Sequence, residues 1–501
     1  MADPHIDMHP NKIVRFLNKL PEEFTKKDLI TYIEKNEIRF VNFRYVGGDG
    51  RLKTLNCGIN SKFQLDRFLS SGERVDGSSL FSYIDSGSSD LYVIPRFKTA
   101  FVNPFAEVPT VDVLCSFYTV DGVPLPSSFE NVVKRAQEAL LQSTGLSMKA
   151  MGELEYYLIR HIDPLYPTEP QRGYQESSPF SKGEALRLEA LTAMAQAGCR
   201  IKYGHAEVGY IPADDFEMEQ DEIEFLPVAL EDAADQIVIA RWILRTVAYR
   251  HSLTVSFAPK IQVGHAGNGL HIHTEVLRKG KNVLVEANQL TDTAKRIIAG
   301  YLSLAPSLTA FGNTVPISYL RLSPSQEAPT NLCWGEQNRS ALVRIPLGWL
   351  GANDMVKNAN PLESEELPDF SQSQTLEFRS PDGSANVHLL LAGLAVAARY
   401  GLEMPDALEL ADKLHVGVNI FSPQDEGIRM RLPVLPSSCW ESAELLLKDH
   451  AIYEKDGVFS PILIRGFAAG LRNHGDQNLR ERLHPEGDEY LNLVNKYLHC
   501  G

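Results

Sequence analysis

The chain has 501 residues, 44% of them hydrophobic and 23% charged, and carries a formal net charge of −15 at pH 7. This acidic balance excludes the basic surface by which proteins bind nucleic acids or anionic membranes. The longest apolar run, residues 389–398, is shorter than a membrane span requires. We therefore expect a globular protein with no nucleic-acid or membrane partner, whose partners are small molecules or copies of itself.

The six cysteines are scattered without CxxC spacing, and the N-terminal residues have neither a basic start nor an apolar core. The cysteine pattern argues against a zinc cluster or a disulfide framework. The N-terminal sequence does not resemble a secretory signal. Both observations predict a cytoplasmic protein.

The first part of the chain reads as a small unit of mixed helix and strand. Thr25 precedes Asp28 by three residues, which is typical of a helix N-cap. Residues 38–46 and 52–57 flank a glycine-rich turn and predict a β-hairpin, and residues 111–118 predict another strand. A turn sequence follows at residues 121–124, so we place a domain boundary there, giving domains of residues 1–120 and 121–501.

The second part alternates helical and extended patterns. Helical spacing is found in residues 128–142, 184–197 and 226–250, whereas residues 253–258, 270–276 and 375–379 look extended. The polar, acidic stretch 358–374 indicates a loop insertion. Together these patterns predict an α+β protein.

Two carboxylates one residue apart occupy the apolar stretch of residues 152–158. Side chains alternate along a strand, so Glu153 and Glu155 share a face. Burying two ionised carboxylates side by side is unfavourable unless each is paired or bound to a cation. A divalent metal would resolve the conflict, and the alternative is a solvated acidic face of a half-exposed strand.

More candidate ligands follow on short extended segments, namely Glu207, Glu222, His271, His273 and Glu377. Any one of them alone could be a solvated glutamate or a structural histidine. As a set they form an oxygen-dominated group that suits Mg²⁺ or Mn²⁺ better than zinc.

Four arginines supply the complementary charge: Arg321, Arg339, Arg344 and Arg379. Forked guanidinium groups suit carboxylates and phosphates. The chain lacks the P-loop, dinucleotide-binding, zincin and serine-elbow signatures. Metals with arginines therefore favour phosphoryl transfer on another scaffold.

Six separated motifs in this order resemble the glutamine synthetase family of the bacterial and archaeal type, and the resemblance covers nearly the whole chain. The motifs are Asp76-Gly77-Ser78-Ser79, Gly152-Glu153-Leu154-Glu155, His205-Ala206-Glu207-Val208, Asn268 through His273, Arg321 through Pro329 with Asn338-Arg339-Ser340, and Glu377 through Asp382. The resemblance implies an N-terminal β-grasp domain and a catalytic domain with a curved antiparallel sheet. It also implies a dodecamer of two hexameric rings, with active sites between neighbouring subunits.

The resemblance further implies ATP-dependent ligation of ammonia to the γ-carboxylate of glutamate through γ-glutamyl phosphate, with two or more Mg²⁺ or Mn²⁺ ions per site. By this likeness Glu155, Glu207 and Glu222 hold one metal, and Glu153, His271 and Glu377 hold the second. His273, Arg339 and Arg344 match the ATP-binding positions, and Gly267, Arg321 and Arg379 match those for glutamate. Asp76, Ser79, Tyr174 and Glu207 match the ammonium site, with Asp76, Arg339 and the flap residue Glu327 as catalytic residues. Asp76 and Tyr83 are expected to reach into a neighbour's site.

Some positions depart from the family pattern. Glu207 and Glu222 are further apart than their counterparts, so residues 210–215 are expected to form an inserted loop. Ala266 replaces the usual asparagine of the glutamate-binding loop, Glu275 stands where a serine is common, and the basic residues before Glu377 are missing. Two alternatives stay open: a γ-glutamyl ligase for a polyamine or other amine, and a catalytically silent relative.

Overall fold

The computed structural model describes residues 6–323, 328–348, 355–365, 371–484 and 487–501. Within them, two large sheets follow one another along the chain and are covered by helices, and a small two-stranded sheet pairs residues 285–286 with 289–290. The strands are β1 (Phe40–Val46), β2 (Leu52–Gly58), β3 (Glu73–Asp76), β4 (Asp90–Pro95), β5 (Phe101–Val102), β6 (Thr110–Tyr118), β7 (Ser147–His161), β8 (Ile201–Pro212), β9 (Phe216–Phe225), β10 (Val228–Ala229), β11 (Thr254–Ser256), β12 (Leu270–Arg278), β13 (Lys281–Asn282), β14 (Val285–Glu286), β15 (Gln289–Leu290), β16 (Trp334–Glu336), β17 (Val343–Ile345) and β18 (Leu376–Phe378).

The helices range from single turns to 21 residues. They are α1 (Lys12–Leu17), α2 (Lys26–Lys35), α3 (Lys62–Ser71), α4 (Gly77–Leu80), α5 (Phe129–Thr144), α6 (Glu184–Gln196), α7 (Leu230–Arg250), α8 (Asp292–Gly312), α9 (Ser318–Arg321), α10 (Met355–Ala359), α11 (Val387–Glu403), α12 (Ala407–Lys413), α13 (Glu426–Arg429), α14 (Cys439–Lys448), α15 (His450–Glu454), α16 (Pro461–Arg472), α17 (Leu479–Arg482) and α18 (Asp488–Tyr497).

The first sheet has the strand order β2-β1-β6-β4-β3, with β1 and β6 parallel. The predicted hairpin is confirmed, since Val46 pairs with Leu52 across the turn. The predicted cap is also confirmed, because the Thr25 hydroxyl accepts the backbone N–H of Asp28 and the Asp28 carboxylate accepts that of Thr25. This reciprocal bonding fixes the start of α2, which buries Leu29 and Ile33.

The second sheet is built around β7 and has the order β16-β17-β18-β12-β7-β9-β8. All neighbours along this order are antiparallel except β16 and β17, which run parallel. Helices α5, α7, α8 and α11 supply much of the buried apolar core. The α+β class predicted from the sequence is confirmed.

Most predicted elements in this part lie within a few residues of their expected bounds. The helix expected over residues 226–250 begins only at Leu230, because Pro227 lacks an N–H and Val228 pairs with β7 instead. The predicted loop 358–374 is wrong at its start, since Asn358 belongs to α10. Residues 366–370 of that stretch lie outside the described residues.

The expected inserted loop at residues 210–215 is wrong for its first half. Tyr210 and Pro212 belong to β8, where they face Glu219 and Glu217 of β9. The chain turns over residues 213–215, and the N–H of Ala213 donates to the carbonyl of Phe216 at 2.8 Å. The added residues therefore lengthen a hairpin, and a register shift between Ala206 and Tyr210 accommodates them.

A cluster of charged side chains connects the segment after β4 with helices α7 and α11 of the second part of the chain. Arg96, which follows β4, donates to both carboxylate oxygens of Asp235 on α7, at 2.8 and 3.1 Å, and to Glu231 at 2.7 Å. His388 on α11 contacts the same Asp235 carboxylate at 3.1 Å. The proposed domain boundary near residue 120 lies between β6 and α5.

No single helix among the described residues is long and apolar enough to cross a membrane. Helices α11 and α12 reach the required length and apolar composition only when they are taken together, and they are bent by 108° relative to each other. The apolar run 389–398 lies in α11, and every residue of the run is buried. All six cysteines are free thiols.

Candidate active site

A cavity of about 800 Å³ opens on the face of the second sheet where β7, β8, β9, β12 and β18 meet. The sequence-predicted residues that line it are Glu153, Glu155, Tyr174, Glu207, Glu222, His271, His273, Arg339, Arg344, Glu377 and Arg379. Residues that are far apart in sequence thus share one cavity.

Strand register explains why the acidic groups converge. Glu155 on β7 lies opposite Glu222 on β9, and Glu153 lies opposite His271 on β12. His273 in turn lies opposite Glu377 on β18. Directly paired residues on one face have side chains about 5 Å apart, so three strand pairings bring these side chains together.

One potential metal cluster contains His205, Glu207 and Glu222, whose ligand atoms all lie within 4.8 Å of one another. The His205 Nε2 atom is 3.2 Å from a Glu222 carboxylate oxygen. Burial and the neighbouring carboxylates of Glu153 and Glu155 raise the pKa of Glu222 well above its usual value. Glu222 is therefore expected to hold its charge only when a proton or a cation offsets the neighbouring carboxylates.

Glu155 lies beside this cluster and is fixed in place. Its carboxylate accepts the backbone N–H of Gly269 at 2.7 Å and the side-chain amide of Gln220 at 3.2 Å. The same Gln220 amide also donates to the carbonyl of Gly267 at 3.1 Å. Gln220 therefore links the Glu155 carboxylate to the loop that precedes β12.

A second cluster contains Glu153, His273 and Glu377, again with all ligand atoms within 4.8 Å. Both imidazoles contact Glu153, with His271 Nδ1 and His273 Nε2 each 3.0 Å from its carboxylate oxygens. His271 Nδ1 also lies 3.6 Å from Glu377. The structure thus brings His273, which the resemblance matches to ATP, as close to Glu153 as His271.

The two imidazoles have different electrostatic surroundings. Burial lowers the pKa of His271. Burial also opposes the charged form of His273, but the charge and hydrogen bond of Glu153 together with the charges of Glu377 and Glu224 outweigh it and raise the pKa. Burial also opposes ionisation of Glu153, but His273 and His271 outweigh it and hold the pKa of this carboxyl well below its usual range. Glu153 is therefore the anionic centre of the second cluster.

Two glycines permit this close packing. A Cβ atom at Gly269 would lie 2.7 Å from the guanidinium of Arg321 and 2.8 Å from His271, and one at Gly267 would lie 2.2 Å from the carbonyl of Pro259. Any larger residue at either position would push these groups apart.

The predicted arginines surround the second cluster. Arg344 donates to one oxygen of Glu377 at 2.8 Å and Arg379 to the other at 3.0 Å. The Nε atom of Arg344 is buried, with no hydrogen-bond partner among the residues that the structure describes. Arg321 is buried beside His271 at 3.4 Å and Arg339 is exposed at the cavity rim. Four positive groups therefore flank the carboxylates.

Asp76 and Ser79 do not line this cavity. Asp76 caps α4 and accepts hydrogen bonds from the hydroxyls of Ser78 and Ser79 at 2.7 and 2.6 Å, and these bonds hold its pKa below its usual range. The hydroxyl of Tyr83 donates to the carbonyl of Ser127 in the same chain at 2.9 Å, and its reach into a neighbour's site stays a prediction. Glu327 lies outside the described residues.

Tyr174 lies at the open side of the cavity and is 49% exposed. Its ring packs edge-on against His205 with the ring centres 5.3 Å apart. The predicted ammonium corner thus contains Tyr174 and Glu207, with Asp76 and Ser79 elsewhere on the chain's surface.

Sequence reasoning missed four residues of the site: Lys202, His205, Gln220 and Glu224. The signal for His205 and Gln220 was their spacing, since each lies two residues before a predicted ligand and so on the same strand face. Glu224 lies two residues after Glu222, so the same spacing was a signal for it too. Lys202 of β8 pairs with Glu224 of β9 at 2.5 Å. This contact depends on strand register, which local spacing does not give.

The side chains fit hard divalent cations. Both clusters offer carboxylate oxygens and imidazole nitrogens at mutual distances that one ion could span, without any thiolate. The buried carboxylates around Glu222 supply the uncompensated charge that such ions would neutralise.

Comparison with known families gives two matches that together cover most of the chain. The family model described as "Glutamine synthetase, catalytic domain" matches residues 130–489, and "Glutamine synthetase, beta-Grasp domain" matches residues 37–120. These matches confirm the predicted order of a β-grasp domain followed by a catalytic domain.

Relatives of similar length are found in bacteria. The chain is 28% identical to a glutamine synthetase of Clostridium saccharobutylicum over 487 residues, covering 95% of this chain and 100% of the relative. It is 29% identical to a glutamine synthetase of Thermus thermophilus over 446 residues, covering 87% and 92%.

Solved structures share the fold at lower identity. A structure described as "Apo GmaS without ligand" has a TM-score of 0.72 at 20% identity and covers 95% of this chain and 100% of its own. The cryo-EM structure of Plasmodium falciparum glutamine synthetase has a TM-score of 0.73 at 19% identity and covers 92% and 97%.

Proposed function

Because this chain belongs to the glutamine synthetase family of ligases, we propose that it joins ammonia to the γ-carboxylate of L-glutamate in an ATP-dependent reaction. The reaction passes through γ-glutamyl phosphate and gives glutamine. The observation that carries this proposal is the meeting of two carboxylate–imidazole clusters and three arginines in one cavity of about 800 Å³.

Two divalent ions, Mg²⁺ or Mn²⁺, complete the site in this proposal. Glu155, Glu207 and Glu222 hold one, with His205 beside them, and Glu153, His271 and Glu377 hold the other. When bound, the ions neutralise the phosphate charge and favour attack on the γ-phosphorus of ATP.

The arginines and His273 orient the two anionic substrates. Glu377 fixes the Nη1 atom of Arg344 in the wall of the cavity, so the guanidinium is held in place for a phosphate oxygen. We assign Arg339, Arg344 and His273 to ATP. Gly267, Arg321 and Arg379 are assigned to glutamate and to its phosphorylated γ-carboxylate.

The amine reacts at the acidic corner near Tyr174 and Glu207. A carboxylate there attracts ammonium and accepts its proton, which leaves ammonia to attack the acyl phosphate. Asp76 and Ser79 lie outside the cavity of their own chain, so in this proposal they complete a neighbour's site. By the family likeness, we assign Glu327 the role of shielding the intermediate from water.

The division of one site between chains requires self-association, and we propose a dodecamer of two hexameric rings. We also propose a cytoplasmic location, which the six free thiols support because disulfides are rare in a reducing compartment.

The test is ATP-dependent phosphate release with glutamate and a panel of amines: ammonium, methylamine, ethylamine and putrescine. We expect the highest kcat/KM with ammonium, because the corner keeps its acidic side chains. A higher value with an alkylamine would replace this proposal by a γ-glutamyl–amine ligase. No phosphate release with any amine, in a folded protein that binds Mg²⁺, would instead identify a silent relative.

A further inference from the structure

The loop between β11 and β12 lies against the candidate active site. The Gln220 amide that donates to Glu155 also donates to the carbonyl of Gly267 and to the side-chain oxygen of Asn268, each at 3.1 Å. We call residues 261–267 the substrate loop, because in the proposed function Gly267 contacts glutamate. The position of this loop therefore affects the amino-acid end of the site.

The two ends of the substrate loop are tied to each other. The N–H of Asn268 donates to the carbonyl of Pro259 at 3.1 Å. The Lys260 ammonium, on a residue that is buried, donates to the carbonyl of His265. Because these bonds span the base of the loop, a shift at its start is transmitted to its end.

Two tyrosine hydroxyls anchor the main chain of the substrate loop. Tyr157 of β7 donates to the carbonyl of Ala266 at 2.8 Å, and Tyr490 of α18 donates to the carbonyl of Ile261 at 3.2 Å. Tyr157 follows Glu155 by two residues, so it lies on the same strand face as the candidate metal ligands. Tyr490 comes from a helix whose described residues do not line the catalytic cavity, so its anchor is independent of the catalytic sheet.

Helix α18 packs on the segment that leads into the loop. Its buried residues are Tyr490, Val494 and Tyr497, whose spacing of four and three residues places them on one helix face. This face shares a small apolar cluster with Ala258 and Ile261. The same face of α18 therefore packs against the start of the substrate loop and supplies its hydrogen-bond donor.

Further contacts fix the far end of α18. The Ser256 hydroxyl donates to the carbonyl of Leu498 at 2.6 Å and accepts the N–H of Ala258 at 3.2 Å. The hydroxyl of Tyr497 lies 2.8 Å from the Nδ1 atom of His474. The helix is thus held in place at both ends, which gives the Tyr490 hydroxyl a defined position.

The bond between Tyr490 and Ile261 is shielded from solvent. Tyr490 is 3% exposed and Ile261 is 8% exposed. Burial raises the pKa of Tyr490 to about 12, so the hydroxyl stays a donor at neutral pH. A carbonyl that loses its donor in such surroundings is unfavourable, and the loop would shift toward solvent to satisfy it.

We propose that Tyr490 is a positioning residue for the amino-acid end of the site, because its hydroxyl holds the substrate loop at Ile261 and so sets the place of Gly267. It acts through the loop and does not touch the substrate. The inference rests on the proposed function, in which Gly267 contacts glutamate.

The test compares Tyr490→Phe with Tyr497→Phe in the full-length protein. Each variant removes one hydroxyl from the same buried face of α18, but the hydroxyl of Tyr497 contacts His474 and not the loop. Initial rates of ATP-dependent phosphate release with ammonium are measured while glutamate and ATP are varied separately. Hydrogen–deuterium exchange of peptides that cover residues 257–269 reports on the loop without turnover, and thermal melting verifies that both variants are folded.

We expect Tyr490→Phe to raise the KM for glutamate by about fivefold or more, with the KM for ATP and kcat within about twofold of the wild-type values. Tyr497→Phe should leave all three unchanged, and exchange in residues 257–269 should become faster in Tyr490→Phe alone. The same KM for glutamate in both variants would overturn the proposal, as would a rise in the KM for ATP of equal size. If the wild-type protein releases no phosphate with glutamate, the proposed function fails, and exchange then decides the role of Tyr490: unchanged exchange in Tyr490→Phe would overturn the positioning of the loop, and faster exchange in this variant alone would support it.

Discussion

Replacement of Arg96 by methionine is expected to destabilise the contact between the two parts of the chain. Arg96 and Asp235 have only 14% and 7% of their side chains exposed, and two hydrogen bonds join them. Methionine has a similar length but no donors, so Asp235 would keep its charge in a buried place, with His388 as its remaining side-chain partner among the described residues.

The magnitude follows from this burial. Removing one partner of a buried ion pair costs about 3–5 kcal/mol, since the remaining charge is left uncompensated. Lys98→Met is the matched control on the same face. Lys98 and its partner Asp232 are 33% and 37% exposed, so this change should cost about 0–1 kcal/mol.

Urea denaturation at fixed protein concentration measures both changes. Trp242 serves as a local fluorescence probe, because its ring lies 5.4 Å from Phe105 and 6.4 Å from Phe101, across the same contact. The double variant Arg96→Met/Asp235→Leu should regain part of the loss, as both polar partners are removed together. An Arg96→Met loss no larger than that of Lys98→Met would refute the reasoning.

Three further predictions concern the site, the assembly and the pH dependence of stability. Glu155→Ala should weaken Mg²⁺ or Mn²⁺ binding by at least about tenfold in calorimetry, whereas the exposed Glu286→Ala should not; equal binding in both would contradict the metal assignment. Asp76→Ala should lower the ammonium-dependent rate by about a hundredfold or more with little change in the KM for ATP, whereas Asp85→Ala in the same loop should leave that rate unchanged. A monomer identified by light scattering that is fully active would rule out a site shared between chains. Burial lowers the pKa of His474 below 6.5, so as the pH falls the unfolded chain takes up a proton at this histidine before the folded chain does. The stability that neutral His474 contributes is therefore present above pH 6.5 and is lost as the pH falls below it. His474→Gln should therefore flatten the melting temperature between pH 7.5 and 5.5, and an unchanged slope would show that other groups control it.

The local elements could be predicted because their signals are contained in a few neighbouring residues. The Thr25–Asp28 cap and the β1–β2 hairpin have their predicted form, since a cap and a tight turn depend on bonds over three or four residues. The wrong prediction at residues 210–215 arose because strand pairing there involves residues that are not close neighbours in sequence. Whether Tyr210 is a loop or a strand residue depends on its pairing with Glu219, and the local sequence does not contain that pairing.

Residue types and short spacings were enough to predict the chemistry of the candidate site. Alternation along a strand placed Glu153 and Glu155 on one face, and the set of carboxylates, imidazoles and arginines indicated metal-assisted phosphoryl transfer. These inferences need only residue types and short spacings, which a chain carries whatever its fold.

Which groups meet depends on strand pairing. The registers of β7 with β9 and β12 set Glu155 opposite Glu222 and Glu153 opposite His271. Contacts of this kind join residues more than sixty positions apart, and they form because the whole core packs in one arrangement that buries its apolar surface. No short stretch of sequence encodes that arrangement alone.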